Sequence, residues 1–537
     1  MKTNINQLFA ALTIASASIS FTACSSDNDD SSNVIDKTDV TTLTDAEALA
    51  LADNALFEYY HKAFGLSFIV ETFTSKTHSF EGPESADGPL ISRHELTPEN
   101  VYFVNRWYNK NSAVANANTA IEKITAATGV SEQTKQVAIA RAKLARALGY
   151  HVLVRLWGEV PLYTTSDGDT KTRASIDDVY TQIVKDLEEA AQGLPATATL
   201  PSVPTKAAAY GLLSRVYLDW GSNPLTYDQL NAIKDQKQDP TPSYNTARLQ
   251  KVVEYADKVT GYQLDRNFAS IFGKANEATK DEKILTFVHD GDAVGTGNHQ
   301  VHCSWTFGFN VDQENHLSPA QDSQLAAWDK ADQRRDVSYI DSLFDSVGDS
   351  VALFRAPRTL PRYGKFVDVG GPEGPNESFK LNDLDRIELR YAEILLNKAE
   401  ALVLLNRAEE ATPLINQLRE RAYGNSNHNL KSVTLKDVKN EWGLEFVYEQ
   451  KEWFNLARWK DVVKDLETVA QNEYFDDSYA VAGLKGRNGQ VVNEFFAKTY
   501  KHLHAKYENR QAKYYRFPIP VGKSGEDLGI RPQNPGF

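Results

Sequence analysis

The residues best suited to chemistry in this chain lie in one short stretch, His302-Cys303-Ser304-Trp305-Thr306-Phe307-Gly308-Phe309-Asn310. Alternation along an extended run places Cys303, Trp305, Phe307 and Phe309 on one side. Gly308 lets the backbone bend around the rings. Flat rings cover the C–H faces of a sugar, and His302 and Asn310 beside them suit its hydroxyls. The same alternation describes a buried strand face, so the pattern alone leaves both readings open. Trp328 follows Gln321-Asp322-Ser323-Gln324 and could stack on a saccharide or plug a helix. Trp107, with Tyr108, belongs to a helical stretch over residues 103–118, where its ring could face a ligand or the core. The chain holds 8 Trp, 24 Tyr and 24 Phe, so most rings must be core. Trp157, Trp442, Trp453 and Trp459 fall on helical stripes and read as packing. So does Trp220, which closes a helix before Gly221-Ser222-Asn223-Pro224.

Other chemistries find less support. Glycoside hydrolysis needs two carboxyl groups roughly 5–10 Å apart across a sugar. Composition does not decide whether the 72 acidic residues supply such a pair, but no nucleophile motif appears, and no enzymatic activity is expected. His299 with His302, and His289 with Asp290 and Asp292, lack the spacing of zinc or calcium loops, so no metal is expected. A net charge of -14 argues against nucleic acid, whose phosphates call for clustered Lys and Arg.

The elements that must position these residues are mostly helical. From Ala138, small and apolar residues recur at Ala142, Ala145, Gly149, Leu153 and Leu156, steps that keep one helix face apolar. Ile387, Tyr391, Ile394, Leu395, Ala399, Leu402 and Leu405 predict a second helix. Asn406-Arg407 breaks it, and Ala411, Leu414, Ile415, Leu418 and Ala422 predict a third. Two helices joined by a tight turn, with Ala at the contacts, pack as tetratricopeptide-type pairs do. Further helices are expected over residues 45–64, 98–127, 176–194, 205–220, 246–260 and 438–463. No strict repeat spacing appears, so any repeats are degenerate. The fold class expected is mainly α: tetratricopeptide-like helical pairs as scaffold, with a large irregular loop-rich insertion. The scaffold would take residues 45–264 and 380–537. The insertion, about 265–379, carries the strand-like run Ile284-Leu285-Thr286-Phe287-Val288 and the turn-forming Gly370-Gly371-Pro372-Glu373-Gly374-Pro375. Irregular insertions on a rigid scaffold are where binding surfaces tend to sit.

The N-terminus reads as an export signal. Lys2 precedes a short apolar run from Leu8 to Ile19, too short for the roughly 20 apolar residues a bilayer span needs. Phe21-Thr22-Ala23-Cys24 follows. Phe21 suits ordinary signal cleavage poorly, and the stretch looks like a lipobox, with Cys24 as the lipidated residue. Lipidation would leave Cys303, the other cysteine, unpaired, so no internal disulfide is expected. Ser25-Ser26-Asp27-Asn28-Asp29-Asp30-Ser31-Ser32 cannot bury anything and reads as an acidic tether. About 20 such residues reach roughly 25 Å.

Five segments, in order, resemble the SusD-like (RagB/SusD) family. The first is Arg141-Ala142-Lys143-Leu144-Ala145-Arg146-Ala147-Leu148-Gly149-Tyr150, running on to Val154-Arg155-Leu156-Trp157-Gly158-Glu159-Val160-Pro161-Leu162. The second is Thr205-Lys206-Ala207-Ala208-Ala209-Tyr210-Gly211-Leu212-Leu213-Ser214-Arg215-Val216-Tyr217-Leu218. The third joins Arg390-Tyr391-Ala392-Glu393-Ile394-Leu395-Leu396 with Ile415-Asn416-Gln417-Leu418-Arg419-Glu420-Arg421-Ala422. The last two are Phe454-Asn455-Leu456-Ala457-Arg458-Trp459 and Pro532-Gln533-Asn534-Pro535-Gly536-Phe537. Asn455 stands where the family usually has Asp, and Gln450-Lys451 where Glu-Gly is common. The resemblance implies a lipid-anchored glycan-binding protein, exposed at the surface of the outer membrane, that serves a SusC-like TonB-dependent transporter. It also implies ligand-contacting tryptophans near Trp305 and Trp107, and that no cofactor is required. The alternative is a surface helical-repeat module binding peptides, glycoproteins or another non-glycan nutrient through its helical groove. That reading would not need Trp305 or Trp328.

Overall fold

The computed structural model describes residues 42–64, 87–273, 276–288, 328–340, 342–344, 350–353, 362–363, 365, 385–466, 505 and 507–537. Ten helices of eight or more residues occur among them. They are α1 (Asp45–Phe64), α2 (Val101–Ala126), α3 (Glu132–Trp157), α4 (Ile176–Gly193), α5 (Lys206–Gly221), α6 (Thr246–Asp257), α7 (Tyr391–Leu404), α8 (Ala408–Tyr423), α9 (Leu435–Glu445) and α10 (Glu452–Trp459).

Local chemistry sets most of their ends. Ser131, Ser175, Thr205, Asn245 and Thr434 each accept a hydrogen bond from a first-turn N–H of the helix that follows. Such caps satisfy donors that a helix start would otherwise leave orphaned. At the other end, Gly158 (φ 76°) stops α3 and Gly424 (φ 69°) stops α8, backbone conformations that glycine adopts without steric cost.

Neighbouring helices pack in sequence. α1 lies against α2 and α3, α3 against α4, α4 against α5, α5 against α6, and α7 against α6, α8 and α9. Small residues set the closeness of the α2–α3 contact. A Cβ built on Gly149 would stand 3.0 Å from Val114 Cγ2 and 3.3 Å from the Lys110 carbonyl. One large core joins these helices to the C-terminal tail. The tail is tied to the end of α3: the Phe517 N–H donates to the Leu156 carbonyl, Trp157 Nε1 donates to the Pro518 carbonyl, and buried Asn534 donates to the Trp157 and Phe517 carbonyls.

Two expected helices differ from the structure. Ile387 belongs to a strand, β2 (Arg386–Arg390), which pairs antiparallel with β1 (Lys283–Phe287); α7 begins only at Tyr391. The single helix expected over residues 438–463 is two, α9 and α10. Between them Tyr448 (φ 65°) and Gln450 (φ 60°) adopt left-handed backbone that no helix can contain. The break turns Glu449 toward Arg390 and Lys451 toward Glu393, so polar burial overrides helical periodicity there.

Candidate functional site

The insertion hangs from a neck formed by β1 and β2. The register Phe287↔Arg386 brings residue 288, where the chain leaves, next to residue 385, where it returns. Every β1 side chain is buried. Phe287 stacks on Tyr60 of α1, with centroids 4.6 Å apart and planes 9° apart, and the Tyr60 hydroxyl donates to the Val288 carbonyl. Phe268, Ile271, Phe272 and Ile387 form a small apolar cluster there. Residues 265–272, expected within the irregular insertion, therefore help to build its root. The cavity they border is only about 10 Å³, room for about one water. The root is filled.

Charged residues surround this neck, and they are buried. Arg390, 0% exposed, bonds Glu282 at 2.7 Å and Glu449 at 2.8 Å and also meets Glu445. Arg421 of α8 pairs with Glu282 at 3.1 Å and with Glu445. Arg334, which follows the insertion's Trp328, bonds Asp332 at 2.7 Å, Glu445 at 2.9 Å and Glu441. Lys365 donates to the Glu445 carbonyl at 2.7 Å and to Glu449 at 2.8 Å, with its ammonium 4.9 Å from the Phe268 ring centre. Burial alone would raise the carboxyl pKa values of Glu445 and Glu449. The surrounding cations outweigh it: Arg421, Arg390 and Arg334 hold Glu445 ionised well below the ordinary carboxylate range, and Arg390 and Lys365 lower Glu449. Burial pushes Lys365 down to about 8.

A second buried cluster lies on the scaffold side of the neck. Arg215 of α5 meets Glu388 of β2 at 2.7 Å and Glu393 of α7, and Lys451 meets Glu393 at 3.0 Å. Arg458 of α10 pairs with Glu400 at 2.8 Å and Asp219 at 3.2 Å. Arg146 reaches Asp186 at 2.6 Å and Asn118 at 2.8 Å. The conspicuous charges of the sequence segments quoted above thus serve the fold. Sequence reasoning read those segments for resemblance and overlooked this. The signal was present: Glu393, Asn397 and Glu400 recur in steps of four and three on a helix otherwise rich in Leu and Ala.

The candidate binding residues divide. Trp305, Phe307, His302 and Asn310, and the lipidation candidate Cys24, lie outside the described residues. Trp107 is 4% exposed and meets Trp157 edge-on at 5.1 Å, so its ring faces are occupied by core and offer no platform to a sugar. Trp328 is likewise 4% exposed, at the insertion's return to the scaffold. Both therefore read as packing. Trp157, Trp442, Trp453 and Trp459 are buried as expected. Trp220 is partly buried, sandwiched between the Tyr180 ring at 5.5 Å and the Arg248 guanidinium at 3.8 Å. Among the described residues, no group of three or more His, Cys, Asp or Glu is placed to hold a metal ion, and no helix is long and apolar enough to cross a membrane.

Comparison with known proteins decides the family. A model described as the SusD family matches residues 235–537, more than half of the chain and including both strands of the neck. The chain belongs to the SusD family. A second model, described as starch-binding associating with outer membrane, matches residues 25–218. SusD-like protein P2 of Formosa agariphila is 26% identical over 462 residues, 80% of each chain. Among solved structures, a SusD superfamily protein from Parabacteroides distasonis superposes with a TM-score of 0.68 at 21% identity, over 92% of this chain and all of the other. A laminarin-binding SusD-like protein gives 0.66 at 19%, with the same coverage. The expected mainly helical architecture is the SusD fold.

Proposed function

We propose that this SusD-family protein captures oligo- or polysaccharide at the surface of the outer membrane and passes it to a SusC-like TonB-dependent transporter. Cys24 anchors it through lipid, and the protein performs no catalysis. The observation that carries this reading is the SusD fold, shared with a laminarin-binding SusD-like protein, together with a filled, charge-locked neck that brings residues 288 and 385 side by side. Within the insertion, Trp305 stacks on a sugar face, Phe307 extends that platform, and His302 and Asn310 bond hydroxyls. Trp107 and Trp328 are not part of the proposed site, because their rings are buried.

Affinity gel electrophoresis of the chain beginning after Cys24, against laminarin, xyloglucan and starch, tests the reading. One polysaccharide should retard it, and Trp305→Ala should lose that retardation. No retardation by any glycan would remove glycan capture. Retention in Trp305→Ala would move the site elsewhere. Incorporation of labelled palmitate, lost in Cys24→Ala, tests the anchor.

A further inference from the structure

Aromatic rings on α4, α5 and α6 form one continuous stack. Tyr180 lies 5.5 Å from Trp220 with planes 7° apart, and Trp220 lies 6.0 Å from Tyr217 at 27°. Tyr217 lies 5.6 Å from Tyr255 at 10°, and Tyr255 lies 6.2 Å from Tyr210 at 29°. Tyr210, Tyr217 and Trp220 share one face of α5 because they recur in steps of seven and three. Ring stacking accounts for this packing. It does not account for what the acidic protons of Trp220 and Tyr255 meet. Trp220 Nε1 donates to Asp177 Oδ1 at 2.5 Å, and the Tyr255 hydroxyl donates to Glu188 Oε1 at 2.5 Å. Asp177 and Glu188 stand about three turns apart on α4 and so share a face. Among the described residues, nothing accepts a hydrogen bond from the hydroxyls of Tyr180 or Tyr217. The Arg248 guanidinium covers the Trp220 ring at 3.8 Å, and the Lys258 ammonium stands 4.4 Å from the Tyr255 ring centre. A cation over a ring opposes loss of an electron from it, unless the ring sheds its proton in the same event.

We propose that Trp220, Tyr217 and Tyr255 form a hole-transfer relay, which carries oxidation from the partly exposed indole to a neutral radical on Tyr255. The substrate class is a small one-electron oxidant, a radical that takes an electron from Trp220 and leaves as its anion. In the first step the Trp220 Nε1–H bond breaks, its proton passes to Asp177, and the indole becomes a neutral radical. In the second, an electron moves from Tyr255 through the Tyr217 ring to Trp220. The proton on Asp177 returns to Nε1, while the Tyr255 O–H bond breaks and its proton passes to Glu188. The sum is one oxidant reduced to its anion, one tyrosine oxidised and one carboxylate protonated. Burial first, then the bond to Glu188, keep the Tyr255 hydroxyl protonated well above its ordinary range, so electron and proton leave together. Tyr180 is closer to Trp220, but its hydroxyl has no described base to take a proton, so the radical does not rest there. Tyr217 lacks an acceptor in the same way and serves as the bridge.

Pulse radiolysis of the chain beginning after Cys24, with azide radical as the oxidant, tests the relay. Azide radical oxidises indole faster than phenol, so the green absorbance of the indolyl radical should decay as the violet absorbance of the tyrosyl radical grows. The relay's share of that transfer is the phase that Trp220→Phe removes. Tyr217→Leu breaks the stack, and Tyr255→Phe keeps the ring but removes its proton; each should slow that phase about tenfold or more. Glu188→Gln keeps an acceptor oxygen but is a far weaker base, and should slow the phase to a similar degree. Tyr163→Phe removes a hydroxyl that bonds Asn111 outside the stack, and should leave the phase unchanged. A transfer that survives Trp220→Phe unaltered, or that Tyr163→Phe slows as much as Tyr255→Phe does, overturns the proposal. So does an unchanged rate in Glu188→Gln, because the tyrosine proton would then leave by another route. Should Tyr217→Leu not fold, Tyr255→Phe, which retains the ring stack, is read in its place.

Discussion

His151 on α3 is 2% exposed, and its Nε2 lies 3.0 Å from Asp219 Oδ2 on α5. Around the pair stand Arg155 on α3, Arg215 on α5, Arg458 on α10 and the Tyr180 ring on α4. Burial first, then Arg155, push the imidazole down from 6.5 to about 4, despite the bond to Asp219. The folded ring is therefore neutral and donates its Nε2 proton to Asp219. As pH falls below 6.5 the unfolded chain takes up a proton that the folded chain refuses until about pH 4. Stability present at neutral pH is lost across that window. At about pH 4.5 the unfolded imidazole is protonated roughly a hundredfold over neutral, which amounts to about 2.5 kcal/mol once partial protonation of the folded ring is subtracted. Asp219 is itself held below its ordinary 3.8 by His151 and the arginines, against the effect of burial, so its own contribution falls at lower pH and does not overlap. Urea unfolding at about pH 7 and about pH 4.5, for wild type and His151→Gln, measures the effect. Gln keeps a donor toward Asp219 without titrating. Wild type should lose about 2.5 kcal/mol more than the variant on acidification. Equal losses would show that protons enter elsewhere and would refute the argument.

Four other outcomes are expected. Glu445→Gln leaves Arg334, Arg390 and Arg421 short of a shared counter-charge and should lower stability by about 3–5 kcal/mol in urea titration. Gly149→Leu forces α2 and α3 apart where even a Cβ is crowded and should cost about 3 kcal/mol, read as a lower melting temperature. Asn406 (φ 60°) is exposed in the turn between α7 and α8, so Asn406→Val should cost about 1 kcal/mol in chemical unfolding through backbone strain alone. Trp107→Ala should cost about 3–5 kcal/mol yet leave polysaccharide retardation unchanged below its melting point, the reverse of Trp305→Ala.

Helix positions were legible in the sequence because apolar periodicity and caps agree there. α1 occupies residues 45–64 as the pattern implied, α4 ends one residue earlier than expected, and α5 is shifted by one residue at both ends. The α9–α10 break was not legible. Trp442, Phe446, Trp453 and Phe454 fit a helical stripe well enough to hide two left-handed residues, whose cause is a carboxylate hub assembled from distant parts of the chain. Ile387 was misread for a related reason. Its apolar spacing suits a helix, while its partner strand lies about a hundred residues earlier, beyond any local pattern. Trp107 shows the limit for the site itself. Residue type nominates a ring for stacking, but only the Trp157 edge packed against it shows that the ring is occupied.

The buried charges also explain how one scaffold can carry different ligand faces. An apolar core would hold the insertion's root by area alone and would accept many registers, since hydrophobic contact is non-directional. Arg390 makes bonds to three carboxylates from two distant parts of the chain, and only one placement of β2 satisfies them all. Residues 289–327 carry the proposed site, so substitutions there are expected to set ligand preference while the buried charges hold the neck. If ligand specificity is set in this way, exchanging residues 289–327 for those of the laminarin-binding relative should transfer its preference while Arg334 and Lys365 are kept. Gel retardation on laminarin reads the outcome. A chimaera that folds, keeps Arg334 and Lys365 and binds as this chain does would place specificity in the scaffold and refute the division.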